Sequence, residues 1–108
     1  MINENYKNKI KESIKNKFSV MGIGESDINE LVEVSIASLE EEIEKVKEIL
    51  KGDDIEQLGF HTHTIKGILL NVGLDEDAKQ FQEIKHLVNT KTVDEIKEVT
   101  KKRISIFD

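Results

Sequence analysis

The sequence predicts an all-α protein, an antiparallel up-down four-helix bundle with an additional N-terminal helix. Apolar residues recur at steps of three and four along most of the chain, which draws one buried stripe per helix. No run alternates β-branched or aromatic residues with period two, as a half-buried strand would. Lys, Glu, Ile and Leu dominate, and the 108 residues include no proline and no tryptophan. That length suits a single domain, expected here as an N-terminal helix and turn (residues 1–24) joined to a bundle (residues 25–108).

The first helix is expected from about Asn3 to Phe18, burying Ile2, Tyr6, Ile10, Ile14 and Phe18. Met21-Gly22-Ile23-Gly24 ends it, because two close glycines favour a turn. The second is expected to start at Asp27, where Asp27 and Glu30 match a capping-box pattern. Its inward face reads Ile28, Leu31, Ser35, Leu39, Ile43, Val46 and Leu50. Asp53 or Asp54 caps the third helix, whose stripe is Ile55, Leu58, Thr62, Ile65, Leu69 and Val72, and Gly73 stops it. Asp75 is expected to cap the fourth, with Ala78, Phe81, Ile84 and Val88 inward. Thr92 and Glu95 form a T-x-x-E capping box for the fifth, which buries Val93, Ile96, Val99 or Thr100, and Phe107. The short connections after Gly24 make consecutive helices antiparallel neighbours. The first helix is then an extension packed across one end or side.

Composition removes several function classes. A formal charge of −6 opposes binding to a phosphate backbone, so no nucleic-acid partner is expected. Without cysteine, disulfides and thiolate metal sites are excluded. No apolar run is long enough for a signal peptide or membrane span, and a soluble, cytoplasmic protein is the default expectation. His61 and His63 stand about 200° apart on a helix and cannot grip one ion. His86 has no histidine or carboxylate at metal-ligand spacing, so neither a metal nor another cofactor is expected. No G-x-S-x-G or P-loop pattern occurs. Glu40, Glu41 and Glu42 read as a water-facing surface.

The stretch His61-Thr62-His63-Thr64-Ile65-Lys66-Gly67 carries the chemistry. At about 100° per residue, His63 lies roughly 130° from the centre of the buried stripe and points to water. Gly59 and Gly67 sit one turn before and after it, each costing about 1 kcal/mol of helix propensity. Lys66 sets an ammonium one turn on. Phe60 and Leu70 also project away from the core near His63, as a protein-docking patch would. His61 reads as a partly buried packing residue near Ile68, and His86 as a surface residue.

His63-Thr64-Ile65-Lys66-Gly67, followed by Gly73 and by Leu74, Ala78, Phe81, Ile84 and Leu87, resembles the histidine-containing phosphotransfer (HPt) domain family. The likeness runs without gaps from about Ile55 to Leu87, and the helix before it is similar in character. Thr62 stands where the family commonly has alanine, and Ile68 and Leu69 replace small residues. The resemblance implies that His63 accepts a phosphoryl group and exchanges it with aspartates of response-regulator receiver domains or of a hybrid histidine kinase. It implies that Lys66 offsets the added charge, and that Lys85, where the family often has glutamine, hydrogen-bonds the phosphoryl oxygens. Gly59 and Gly67 would clear the approach, and Phe60 and Leu70 would touch the partner. Magnesium would belong to the receiver. The chain has no nucleotide-binding motif, so it reads as a monomeric phosphocarrier, not an autonomous kinase. Two alternatives are a non-catalytic helical interaction module and the phosphoacceptor helix pair of a sensor kinase. The second is disfavoured because Thr64 replaces the usual acidic neighbour and proline is absent.

Overall fold

The structure, a computed structural model, describes residues 1–108. It contains α1 (Glu4–Ser19), α2 (Glu25–Ile49), α3 (Ile55–Asn71), α4 (Asp75–Leu87) and α5 (Val93–Ile104). A 3-10 turn follows (Ser105–Phe107), and there are no strands. None of these helices is long and apolar enough to cross a membrane.

Three helix starts follow from side-chain caps, which satisfy amides that have no intrahelical acceptor. Asn3 accepts from the Tyr6 amide at 2.7 Å, and Asp54 accepts from the Gln57 amide at 3.2 Å. Thr92 Oγ1 accepts from the Glu95 amide at 3.2 Å and donates to Glu95 Oε1 at 3.0 Å. Two starts differ from expectation. Helix α2 begins two residues early, because Gly24 takes the extended N-cap conformation (φ −72°, ψ 161°) without a side-chain cap. Asp27 therefore sits in the first turn with Glu25, where carboxylates face the positive end of the helix dipole. Asp75 is the first residue of α4, not its cap; Leu74 holds the cap position.

Leu74 is drawn there by the end of α3. Gly73 has φ +88°, a left-handed conformation that suits glycine. Its amide donates to the Leu70 carbonyl at 3.1 Å, and the Leu74 amide to the Leu69 carbonyl at 2.9 Å. This pair of bonds is a Schellman stop, and Leu74 folds back onto the core beside it. Space also requires glycine here, since a Cβ would lie 2.9 Å from Ser13 Oγ.

One hydrophobic cluster draws residues from every helix. The stripe of α2 differs in its first half from the expected face. Val32 and Ile36 pack against the core, whereas Leu31 is 37% exposed. The reason is angular: Val32 and Ile36 follow Ile28 at four-residue steps and precede Leu39 by three, which keeps the stripe continuous.

Helix α1 does more than extend the bundle. Asn3, its N-cap, donates from its amide to the Phe107 carbonyl at 2.8 Å and from its side chain to the Ile106 carbonyl at 3.3 Å. Helix α5 and its 3-10 turn therefore meet α1 end to end. Lys97 pairs with Asp53 and Lys47 with Asp108, which places α5 beside the lower half of α2 and the start of α3. Ser13 Oγ donates to the Val72 carbonyl at 2.6 Å, and Lys17 Nζ to the Asn71 carbonyl at 3.1 Å, which places α1 beside the upper end of α3. The fourth corner of the bundle is thus built from two helices in line. At their junction the Tyr6 ring meets Phe107 edge-on at 4.8 Å, and Phe107 stacks on Phe81 at 5.8 Å. The Tyr6 hydroxyl donates to Asp77 Oδ2 at 2.7 Å, and Lys9 Nζ reaches the same oxygen at 2.7 Å.

Candidate functional site

Burial of Leu58, Thr62, Ile65 and Leu69 fixes the rotation of α3 and turns His63 outward, where it is exposed. Thr62 is a buried polar residue at no cost, because its hydroxyl donates to the Leu58 carbonyl at 2.8 Å and the Gly59 carbonyl at 3.1 Å. Thr64 likewise donates to the Phe60 carbonyl at 3.2 Å. Both hydroxyls beside His63 are thus spent on the preceding turn. The imidazole itself has no intramolecular partner, in contrast to His61, whose Nδ1 donates to Glu42 Oε2 at 2.7 Å.

His63 lines a groove of about 660 Å³ between α3 and the end of α4. Glu56, Gly59 and Phe60 share its α3 side with His63; Lys85, His86 and Val88 line the opposite side, with Asn89 and Thr90 closing one end. Helices α3 and α4 run antiparallel, and Gly59 lies against Val88. A Cβ at residue 59 would come 3.3 Å from Val88 Cγ2, which sets the register of the two helices. One turn up α3, His63 is therefore level with the Ile84-Lys85 step of α4.

The structure separates the expected site residues into those that share this groove and those that do not. Lys85 faces the groove with His63. Lys66 is half-buried, one turn above His63, and lies outside the groove lining. Neither lysine forms an ion pair, unlike Lys9, Lys45 and Lys97. Phe60 is 63% exposed and Leu70 40% exposed. Around Gly67 a Cβ would meet nothing within 4 Å. Gly59 departs from the expectation of an open approach: it is buried, and its missing side chain admits Val88, so it serves helix packing and only floors the groove.

Other readings from the sequence change as well. The acidic run at Glu40–Glu42 is not one solvated face. Glu42 is half-buried against His61, Glu40 accepts from the Ile2 amide at 3.2 Å, and Glu41 alone faces water, beside Lys45. That pairing also makes His61 a cross-link between α2 and α3 instead of simple packing. His86, read as an unremarkable surface residue, lines the groove. The register Gly59-to-Val88 would have revealed it, had the glycine been read as a helix crossing.

Chemically, the site is an exposed imidazole with one wall of nitrogen donors, an aromatic side and a single carboxylate. No group of three or more ligand-type side chains gathers there or elsewhere. Comparison of the chain with curated proteins and with solved structures gave no match. A family model described as "Hpt domain" matches residues 30–101, a span that contains all of α3 and α4 together with most of α2 and of α5. By that match, which takes in the whole groove and its histidine, the chain belongs to the Hpt domain family.

Proposed function

We propose that the protein carries a phosphoryl group on His63 and exchanges it with the aspartates of receiver domains in a two-component phosphorelay. The observation that supports this best is the exposed, unpartnered imidazole of His63 beside a helix surface left open at Gly67. Neutral imidazole is a competent nucleophile near neutral pH. Its lone-pair nitrogen attacks the phosphorus of an aspartyl phosphate. The N–P bond forms as the P–O bond to the aspartate breaks, and the electron pair leaves with the carboxylate. The ring proton stays on the other nitrogen or passes to solvent. Return transfer to a second receiver reverses each change.

Such a step needs positioning and charge compensation more than covalent help from the protein. Lys85 lines the same groove from α4 and compensates charge on the transferring group; Lys66 contributes from one turn away. Phe60 and Leu70 give a partner helix apolar contact on either side of His63. Metal ions for the step belong to the receiver. The chain acts as a monomeric carrier, and its own residues contain no nucleotide site.

The test is His63→Gln. Incubated with an acetyl-phosphate-charged receiver, the native chain takes up label and the variant takes up none, with the same helicity by circular dichroism. Labelling of the variant would assign the carrier role to another residue. A bundle that binds receivers without ever taking label would instead be a non-catalytic interaction module.

A further inference from the structure

We propose that His86 is a second phosphoryl-contacting residue, acting with Lys85 on the group held by His63. This rests on His63 being the carrier. Three observations place it there. The Gly59–Val88 contact sets the antiparallel register, so that His86 falls between the level of that contact and the level of His63. Buried Phe81 and Ile84 fix the rotation of α4, and both Lys85 and His86 are exposed and line the groove that His63 lines. The His86 backbone carbonyl is engaged by Thr90 Oγ1 at 3.4 Å, but its ring has no partner within the chain and is free to meet one.

The charge balance calls for such a group. A phosphoryl on imidazole brings two negative charges to the mouth of the groove. Lys66 answers them from one turn away, outside the groove lining, which leaves the groove's own wall to Lys85 and His86. The charged and titratable groups facing His86 are Glu56 and His63 from α3 and Lys85 from α4; Asn89 and Thr90 are neutral, and Arg103 of α5 is paired with Glu83. Glu56 sits two turns before His63, about 10 Å along the helix, too far to pair with the phosphoryl itself. Donors on the α4 wall therefore face the new charge nearly unopposed. An imidazole donates a hydrogen bond in either protonation state and adds a charge when it takes a proton, so the contact operates at neutral pH.

A contact present only in the phosphorylated carrier favours that state over the receiver's aspartyl phosphate. It therefore biases where the phosphoryl group rests, not merely how fast it moves. The experiment equilibrates an acetyl-phosphate-charged receiver, freed of excess acetyl phosphate, with the native chain, His86→Ala or His86→Lys. It records the partition of label between the two proteins. It also records the melting temperature of each variant and its affinity for the uncharged receiver. We expect His86→Ala to shift the partition toward the receiver by roughly three- to tenfold, the range for a charge-assisted hydrogen bond at an exposed site. Melting temperature and receiver affinity should be unchanged, and His86→Lys should restore most of the partition. An unchanged partition in His86→Ala overturns the inference. So does a loss matched by weaker binding of the uncharged receiver, which would make His86 a docking residue. Absence of label on the native chain with any receiver would remove the carrier reading first, and this inference with it.

Discussion

Gly67→Ala separates what the bundle needs at this position from what a partner needs. Gly67 lies inside α3, four residues before its end. Alanine in a helix interior is favoured over glycine by about 0.8–1 kcal/mol, and nothing within 4 Å obstructs the new methyl. The substitution should therefore stabilise the fold by up to about 1 kcal/mol, a rise in melting temperature of up to about 4 °C for a domain of this size. At Gly59 the same methyl would stand 3.3 Å from Val88 Cγ2, so the end of α4 must give way. The propensity gain there is offset, and Gly59→Ala should be neutral or destabilising. If a receiver packs against Gly67, the methyl that helps the bundle overpacks the complex. Overpacking costs about 1–3 kcal/mol, or roughly 5- to 150-fold in affinity or transfer rate. Thermal melts followed by circular dichroism give the first quantity, and single-turnover transfer from a charged receiver gives the second. A Gly67→Ala protein that is more stable and transfers at the native rate would refute the clearance role of this glycine. One that is less stable would refute the open space inferred from the structure.

Tyr6 should make the fold sensitive to alkali. The free phenol titrates at 10.0; in the fold, burial first, then the hydrogen bond and charge of Asp77, push it well upward. The native state keeps its proton where the unfolded chain has lost it, so this contribution is complete below pH 10.0 and shrinks as pH rises above it. Tyr6→Phe should lose about 1 kcal/mol at neutral pH and show a shallower decline in urea midpoint between about pH 8 and 11; parallel declines would exclude the effect. As the only tyrosine, with no tryptophan present, Tyr6 can also be titrated by its own phenolate absorbance. The Glu42–His61 pair is half-buried, with side chains 14% and 15% exposed. A double-mutant cycle with Glu42→Gln and His61→Gln should return a coupling of about 1 kcal/mol in urea denaturation, and additivity within about 0.3 kcal/mol would show that the pair does not staple α2 to α3.

Much of the fold was legible because the signals are local. Asp54 and Thr92 cap the helices they precede, and Gly73 stops α3 through a conformation that few other residues tolerate. Most of the core face of α3 was readable, Thr62 included, since a strict three-four rhythm leaves one choice of face; Gly59 is buried outside that stripe, and Ile55 is only partly buried. Helix α2 was less readable: Leu31, Val32, Val34 and Ile36 offer two apolar faces, and only the neighbouring helices decide between them. At the candidate site, the outward projection of His63, Phe60 and Leu70 followed from angle alone. Gly59 was misread because a glycine that admits a partner and one that admits a neighbouring helix look identical in one dimension. Glu42 and His86 were missed for the same reason, since the half-burial of the first against His61 and the groove position of the second opposite His63 depend on residues 19 and 23 positions away, on other helices.

The in-line junction of α1 with the turn at Phe107 bears on how the chain reaches its native state. The Asn3–Phe107 bond closes a loop of over a hundred residues, so it is among the last contacts that a polymer can afford to make. Helix α1 is synthesised early but finds its end-mate only when α5 has been made. Until then Tyr6 and Phe81 lack the Phe107 ring that each meets in the folded chain. A ribosome-bound intermediate should thus hold α2, α3 and α4 together with one corner half open, and removing α1 or α5 should uncover different stretches of core that share only the junction at Phe81.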